Sequence, residues 1–99
     1  MAKGKIIWSQ TARIKLYQIL DFYIERNQSK TYSSKLLQKI NKELKTLLKQ
    51  PDIGIKTEVE SVRGLIIEHY IFYYELQNKN IIIYTIWDCR QNPNDLIIK

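Results

Sequence analysis

One cysteine, Cys89, and one histidine, His69, are all that the 99-residue chain has of the two side chains that most often hold zinc. A lone cysteine excludes a disulfide within the chain and fits a reducing cytosol. Without a cysteine pair or a second histidine, a zinc site is not expected, nor is any other metal or cofactor. Long hydrophobic runs are also missing. None approaches the roughly 20 residues that a membrane-spanning helix requires, so no membrane role is expected. The opening stretch, MAKGKIIW, has too short an apolar run for the h-region of a secretory signal. There are no internal repeats, low-complexity tracts or linkers. A chain of this length favours one domain, here residues 1–99.

Acidic residues are scarce where basic ones are dense. Residues 30–49 carry six lysines and one acid. Residues 1–29 carry five Lys/Arg against two acids, and residues 50–99 carry five against seven. The net charge of +6 therefore belongs to the first half. Such a field suits an anionic partner, either nucleic acid or an acidic protein surface, or else marks a solvated lysine-rich helix. With 44% apolar and 26% charged residues, the chain has the balance of a folded domain rather than a disordered one.

The hydrophobic period divides the chain at Pro51. Residues 5–8, KIIW, read as a short strand, and Ser9 as the N-cap of a helix over 10–26. Ala12, Leu16, Ile19, Leu20 and Tyr23 recur there at helical spacing. The NQS break follows, with Ser29 placed to cap a second helix over 30–49. Tyr32, Leu36, Ile40, Leu44, Leu47 and Leu48 form its apolar stripe. Lys35, Lys39, Lys42 and Lys49 make a basic ridge on the opposite side. Pro51 ends this helix. DIGIKTEVES reads as a loop or ragged edge. Segments 62–67, 70–76 and 80–88 are rich in β-branched and aromatic residues, the signature of strands. The turns between them are so short that the strands must run antiparallel. The expected fold is α+β, in the order β-α-α-β-β-β. A helical hairpin covers one face of a small, mainly antiparallel sheet, and the other face is left open.

Four stretches carry a family resemblance: WSQTARIKLYQILDFYIERN, LLKQPDIGIKTE, VRGLIIEHYIFYYEL and IWDCRQNP. In this order and spacing, over nearly the whole chain, they resemble the RelE/ParE toxins of bacterial type II toxin–antitoxin systems. The resemblance implies the fold just described and a cognate antitoxin partner. It also implies one of two targets. RelE-like members cut mRNA in the ribosomal A site, driving the ribose 2′-hydroxyl onto the adjacent phosphate. ParE-like members poison DNA gyrase by protein contact. Either target is cytoplasmic.

By this resemblance, Arg63 matches an arginine that could hold a scissile phosphate, and Arg90 matches the arginine that closes the last strand. Lys56, Glu58 and Glu60 fall where acid–base groups stand in the nucleases. The chain departs from the nuclease pattern after Arg90. Gln91, Asn92, Pro93, Asn94 and Asp95 replace the tyrosine or histidine found there, and amides cannot act as general acids. His69 is expected in a turn at the wrong end of the strand pair to substitute. Asp88 and Arg90 share a side of the strand and are expected to pair, with Cys89 pointing oppositely as a small buried residue. The missing acid and the slightly acidic sheet half favour the gyrase poison over the nuclease.

Overall fold

A computed structural model describes residues 4–90. Strand β1 (Ile6–Trp8) leads into helix α1 (Gln10–Asn27). Helix α2 (Thr31–Lys49) follows after a short link. A single 3₁₀ turn (Pro51–Ile53) then precedes strands β2 (Ile55–Lys56), β3 (Val62–Ile67), β4 (Tyr70–Gln77) and β5 (Asn80–Asp88). The five strands form one sheet in the order β1-β5-β4-β3-β2. All neighbours are antiparallel except β1 and β5, which run parallel.

Local chemistry sets the ends of these elements. Ser9 has extended backbone, and its hydroxyl accepts the Ala12 N–H, which makes it the N-cap of α1. The same hydroxyl donates to the Tyr84 carbonyl, so the cap also ties α1 to β5. At the start of α2 the cap position is Lys30 rather than Ser29. Ser29 still contributes, since its hydroxyl accepts the Thr31 N–H. Gln28, at φ 52°, ends α1 in the left-handed conformation. Glu68 and Asn78 adopt the same conformation in the two-residue turns of the meander.

The core lies between hairpin and sheet. Ala12, Leu16 and Tyr23 come from α1, and Leu36, Ile40, Leu44 and Leu47 from α2. They pack on Ile67, Tyr70, Phe72, Tyr74, Ile81, Ile83 and Ile86. Where the helices meet, the small buried Ser33 donates its hydroxyl proton to the Leu20 carbonyl, 2.7 Å away. The two helices differ in character. α2 is sharply amphipathic, with its lysines exposed. α1 carries apolar side chains on both sides. Ile14 (48% exposed), Tyr17 (57%) and Phe22 (50%) stand on its outer surface.

Three expectations need correction. The stretch after Pro51 is more ordered than a loop, because β2 pairs Ile55 with Gly64 and Lys56 with Arg63. A hydrogen-bond ladder needs no hydrophobic alternation, so a two-residue strand leaves no pattern to read. The second face of the sheet is not simply open. Val62, Tyr73 and Trp87 are buried there, with Ile71 and Tyr84 packed against them. Cys89 is exposed, not buried. β5 ends at Asp88, so strand alternation no longer governs where the next side chain points.

Candidate functional site

The end of β5 meets the β3–β4 turn. Asp88 lies opposite Tyr70, and the Cys89 N–H donates to the His69 carbonyl at 2.8 Å. This follows from the meander. β4 and β5 are of nearly equal length, so β5 returns the chain to where β4 began. His69 is therefore at the same end as Arg90, contrary to the expectation from sequence.

Arg90 is held by Asp88. Its Nε donates to Oδ1 at 2.9 Å and its Nη2 to Oδ2 at 2.7 Å. The Arg90 backbone N–H adds a third bond to Oδ1. This fork-to-fork geometry fixes a planar guanidinium in one orientation. The hydrogen bond from Arg90 holds the Asp88 carboxyl below its ordinary range, and the same contact raises the affinity of Arg90 for its proton.

Behind this pair lies a tyrosine chain. The Tyr70 hydroxyl donates to Tyr23 at 3.2 Å, and the Tyr23 hydroxyl lies 3.0 Å from Nε2 of His69. Since the Tyr23 oxygen accepts from Tyr70, its own proton can point to Nε2. Burial, then the bond to Tyr23, pushes the Tyr70 phenol well above its usual value. Phe22 and Tyr32 pack edge-on against Tyr23. The Lys39 ammonium meets Glu68 at 2.8 Å.

A groove of about 330 Å³ opens here between α1 and β5. Tyr70, Ile86 and Ile19 give it an apolar base, while Lys15, Gln18, Asp88 and Arg90 supply polar groups. The Lys15 ammonium also stands 5.9 Å from the centre of the Trp87 ring. β1 pairs only with Ile81–Ile83, so beyond Tyr84 the outer edge of β5 has no strand partner among the described residues.

The other nominated residues lie elsewhere. Arg63 opposes Tyr74, four positions along β4 from the Tyr70–Asp88 pair. That separation is about 13 Å along the sheet, with two strand spacings (~10 Å) across it. Arg63 donates to the carbonyls of Asp52 and Gly54, and its guanidinium lies 3.9 Å from the Asp52 carboxylate. Its charged partner is therefore Asp52, and it clamps the turn after α2. Lys56 is its register partner, and Glu58 and Glu60 are exposed in the loop that follows. The structure brings Lys56 and Arg63 together at one end of the sheet and leaves Arg90 at the other. Gln91, Asn92, Pro93, Asn94 and Asp95 lie outside the described residues.

Tyr23, Tyr70 and Lys15 escaped the reading of the sequence, whereas His69 was weighed there and placed at the wrong end of the strand pair. The near-equal lengths of β4 and β5 would have put it at the right one. The two tyrosines look like ordinary core residues until their hydroxyls are placed.

Comparison with known proteins sets this geometry in a family. No curated protein sequence matches the chain. One similar solved structure is described as the chromosomal ParDE TA system from P. aeruginosa. It superposes with a TM-score of 0.72 at 24% identity, over 87% of this chain and 96% of that one, which shows a shared fold. The family model for the ParE toxin of the type II toxin–antitoxin system parDE matches residues 6–93. With nearly the whole chain matched, this protein belongs to the ParE toxin family of type II toxin–antitoxin systems.

Proposed function

We propose that this toxin halts growth by binding DNA gyrase in the cytoplasm, without catalysis, until a cognate antitoxin covers it. The observation that carries this reading is the separation of the two arginines. Cleavage at a phosphate needs cations, a base and an acid converging within hydrogen-bond reach of one reacting centre. Here Arg63 and Lys56 stand at one end of the sheet and Arg90 at the other, with each guanidinium engaged within the fold. Ile14, Tyr17 and Phe22 on the outer side of α1 support the antitoxin part of the reading. A segment that orders on binding needs such apolar area to offset its lost entropy.

A ribosome-dependent endonuclease is the second reading, and one observation favours it. His69, which has a side chain able to transfer a proton, sits at the same end of the sheet as Arg90, its carbonyl accepting from the Cys89 N–H. In that case Arg90 would steady the phosphate, and Arg63, Lys56 and Glu58 would not share its site. Pulse labelling after induction separates the two. The gyrase reading expects DNA synthesis to fall before protein synthesis. An immediate fall in protein synthesis, with replication continuing, would support the nuclease.

A further inference from the structure

The end of α2 and the β4–β5 turn enclose a cleft of about 800 Å³. Its rim is basic, with Lys42, Lys45 and Lys49 from α2 and Lys79 from the turn. Its floor is apolar, formed by Leu48, Pro51 and Leu76. Leu76 is 46% exposed. Among the described residues no carboxylate lines the cleft. Among the described residues the ion pairs are Lys39–Glu68, Arg63–Asp52 and Arg90–Asp88, and none of these includes any of the four lysines. Glu43, the one acid of α2, is not part of the lining and acts on Lys39.

The three helix lysines stand at i, i+3 and i+7, on one side of α2, and span about 10 Å along it. Four like charges around one opening repel each other, and apolar surface between them is left wet. One partner relieves both conditions: a protein segment with carboxylates flanking an apolar side chain. Nucleic acid would satisfy only the rim. Among the described residues no aromatic ring lines the cleft to stack a base, and a phosphate backbone offers nothing apolar to Leu48 and Leu76.

We propose that this cleft is where the toxin holds its protein target, through an acidic segment of that target whose apolar side chain seats on Leu48 and Leu76. The inference rests on the protein-target reading above and adds a surface and its chemistry. No residue of α1 lines the cleft, so the apolar stripe on α1 is a separate surface.

The test replaces Lys42, Lys45 and Lys49 together with glutamate and measures supercoiling of relaxed plasmid by purified gyrase holoenzyme. All three side chains are exposed, so the variant is expected to fold, which its thermal melt checks. Inhibition should need about tenfold more of this variant than of wild type, because the substitutions turn attraction into repulsion. The matching triple arginine variant should inhibit like wild type, and antitoxin binding should be unchanged in both. Equal inhibition by the glutamate variant would overturn the inference and leave the protein-target reading standing. Loss of antitoxin binding in place of gyrase inhibition would also overturn it, as would duplex DNA binding that the glutamates abolish. If wild type itself fails to inhibit gyrase, the protein-target reading falls, and this inference with it.

Discussion

Tyr74 shows how much one side chain can hold. It is buried to 1% exposure, and its hydroxyl accepts the Gly54 N–H at 3.0 Å and donates to the Pro51 carbonyl at 2.7 Å. The turn after α2 is thereby fastened to β4. Gly54 is required there because a Cβ would run into the Tyr74 hydroxyl. Tyr74→Phe would leave a buried donor and acceptor unpaired, so it should cost about 1–3 kcal/mol in urea unfolding. A loss near zero would mean that the turn is not fastened this way. The Asp88–Arg90 pair can be tested by titration. The Asp88 carboxyl is held below its ordinary 3.8 chiefly by the hydrogen bond from Arg90. A depressed folded pKa stabilises the fold above the unfolded value, and the benefit disappears as pH falls through the folded one. Arg90 is more than half exposed while Asp88 is partly buried, and solvent around the guanidinium screens the pair, so its share is small at neutral pH. Arg90→Ala should raise the Asp88 midpoint toward 3.8, followed by carboxyl carbon NMR. An unmoved midpoint would show that Arg90 does not hold the carboxylate in solution.

At the scale of elements, the contrast between the helices matters most. α2 spends its apolar side on the core and shows lysine to solvent. α1 has apolar residues left over, and Ile14, Tyr17 and Phe22 form no part of the core cluster. Replacing Ile14 and Tyr17 with aspartate should leave the melting temperature nearly unchanged. Affinity for the antitoxin, measured by calorimetry, should fall by about tenfold or more, as expected when apolar contact area is lost from an interface. Unchanged affinity would place the antitoxin elsewhere. Both helices were legible from their 3.6-residue period, and β3 and β5 appear with the bounds expected from their β-branched runs. The parallel pairing of β1 was not legible, because three residues carry no record of their partner. β2 was hidden for the same reason. Cys89 was misplaced because alternation was carried one residue past the end of the strand.

The whole molecule is a scaffold on which the nominated site residues do not converge. The sequence shows that Arg63 and Arg90 both exist and that each closes or opens a strand. Their distance depends on which ends of the meander they occupy, and only the assembled sheet shows that they sit at opposite ends. The pairing of Arg90 with Asp88 was legible from two-residue spacing, and the structure contains it. The neighbourhood of His69 was not legible residue by residue, since it arises from strand lengths. The proposal that this ParE-family toxin acts on a protein rather than on RNA can be tested directly. The most direct measurement places the purified protein in two parallel reactions, gyrase supercoiling of relaxed plasmid and translation of a defined mRNA on purified ribosomes. Supercoiling should stop, added antitoxin should restore it, and the mRNA should stay intact. Codon-positioned cuts in the mRNA, with gyrase unaffected, would contradict it.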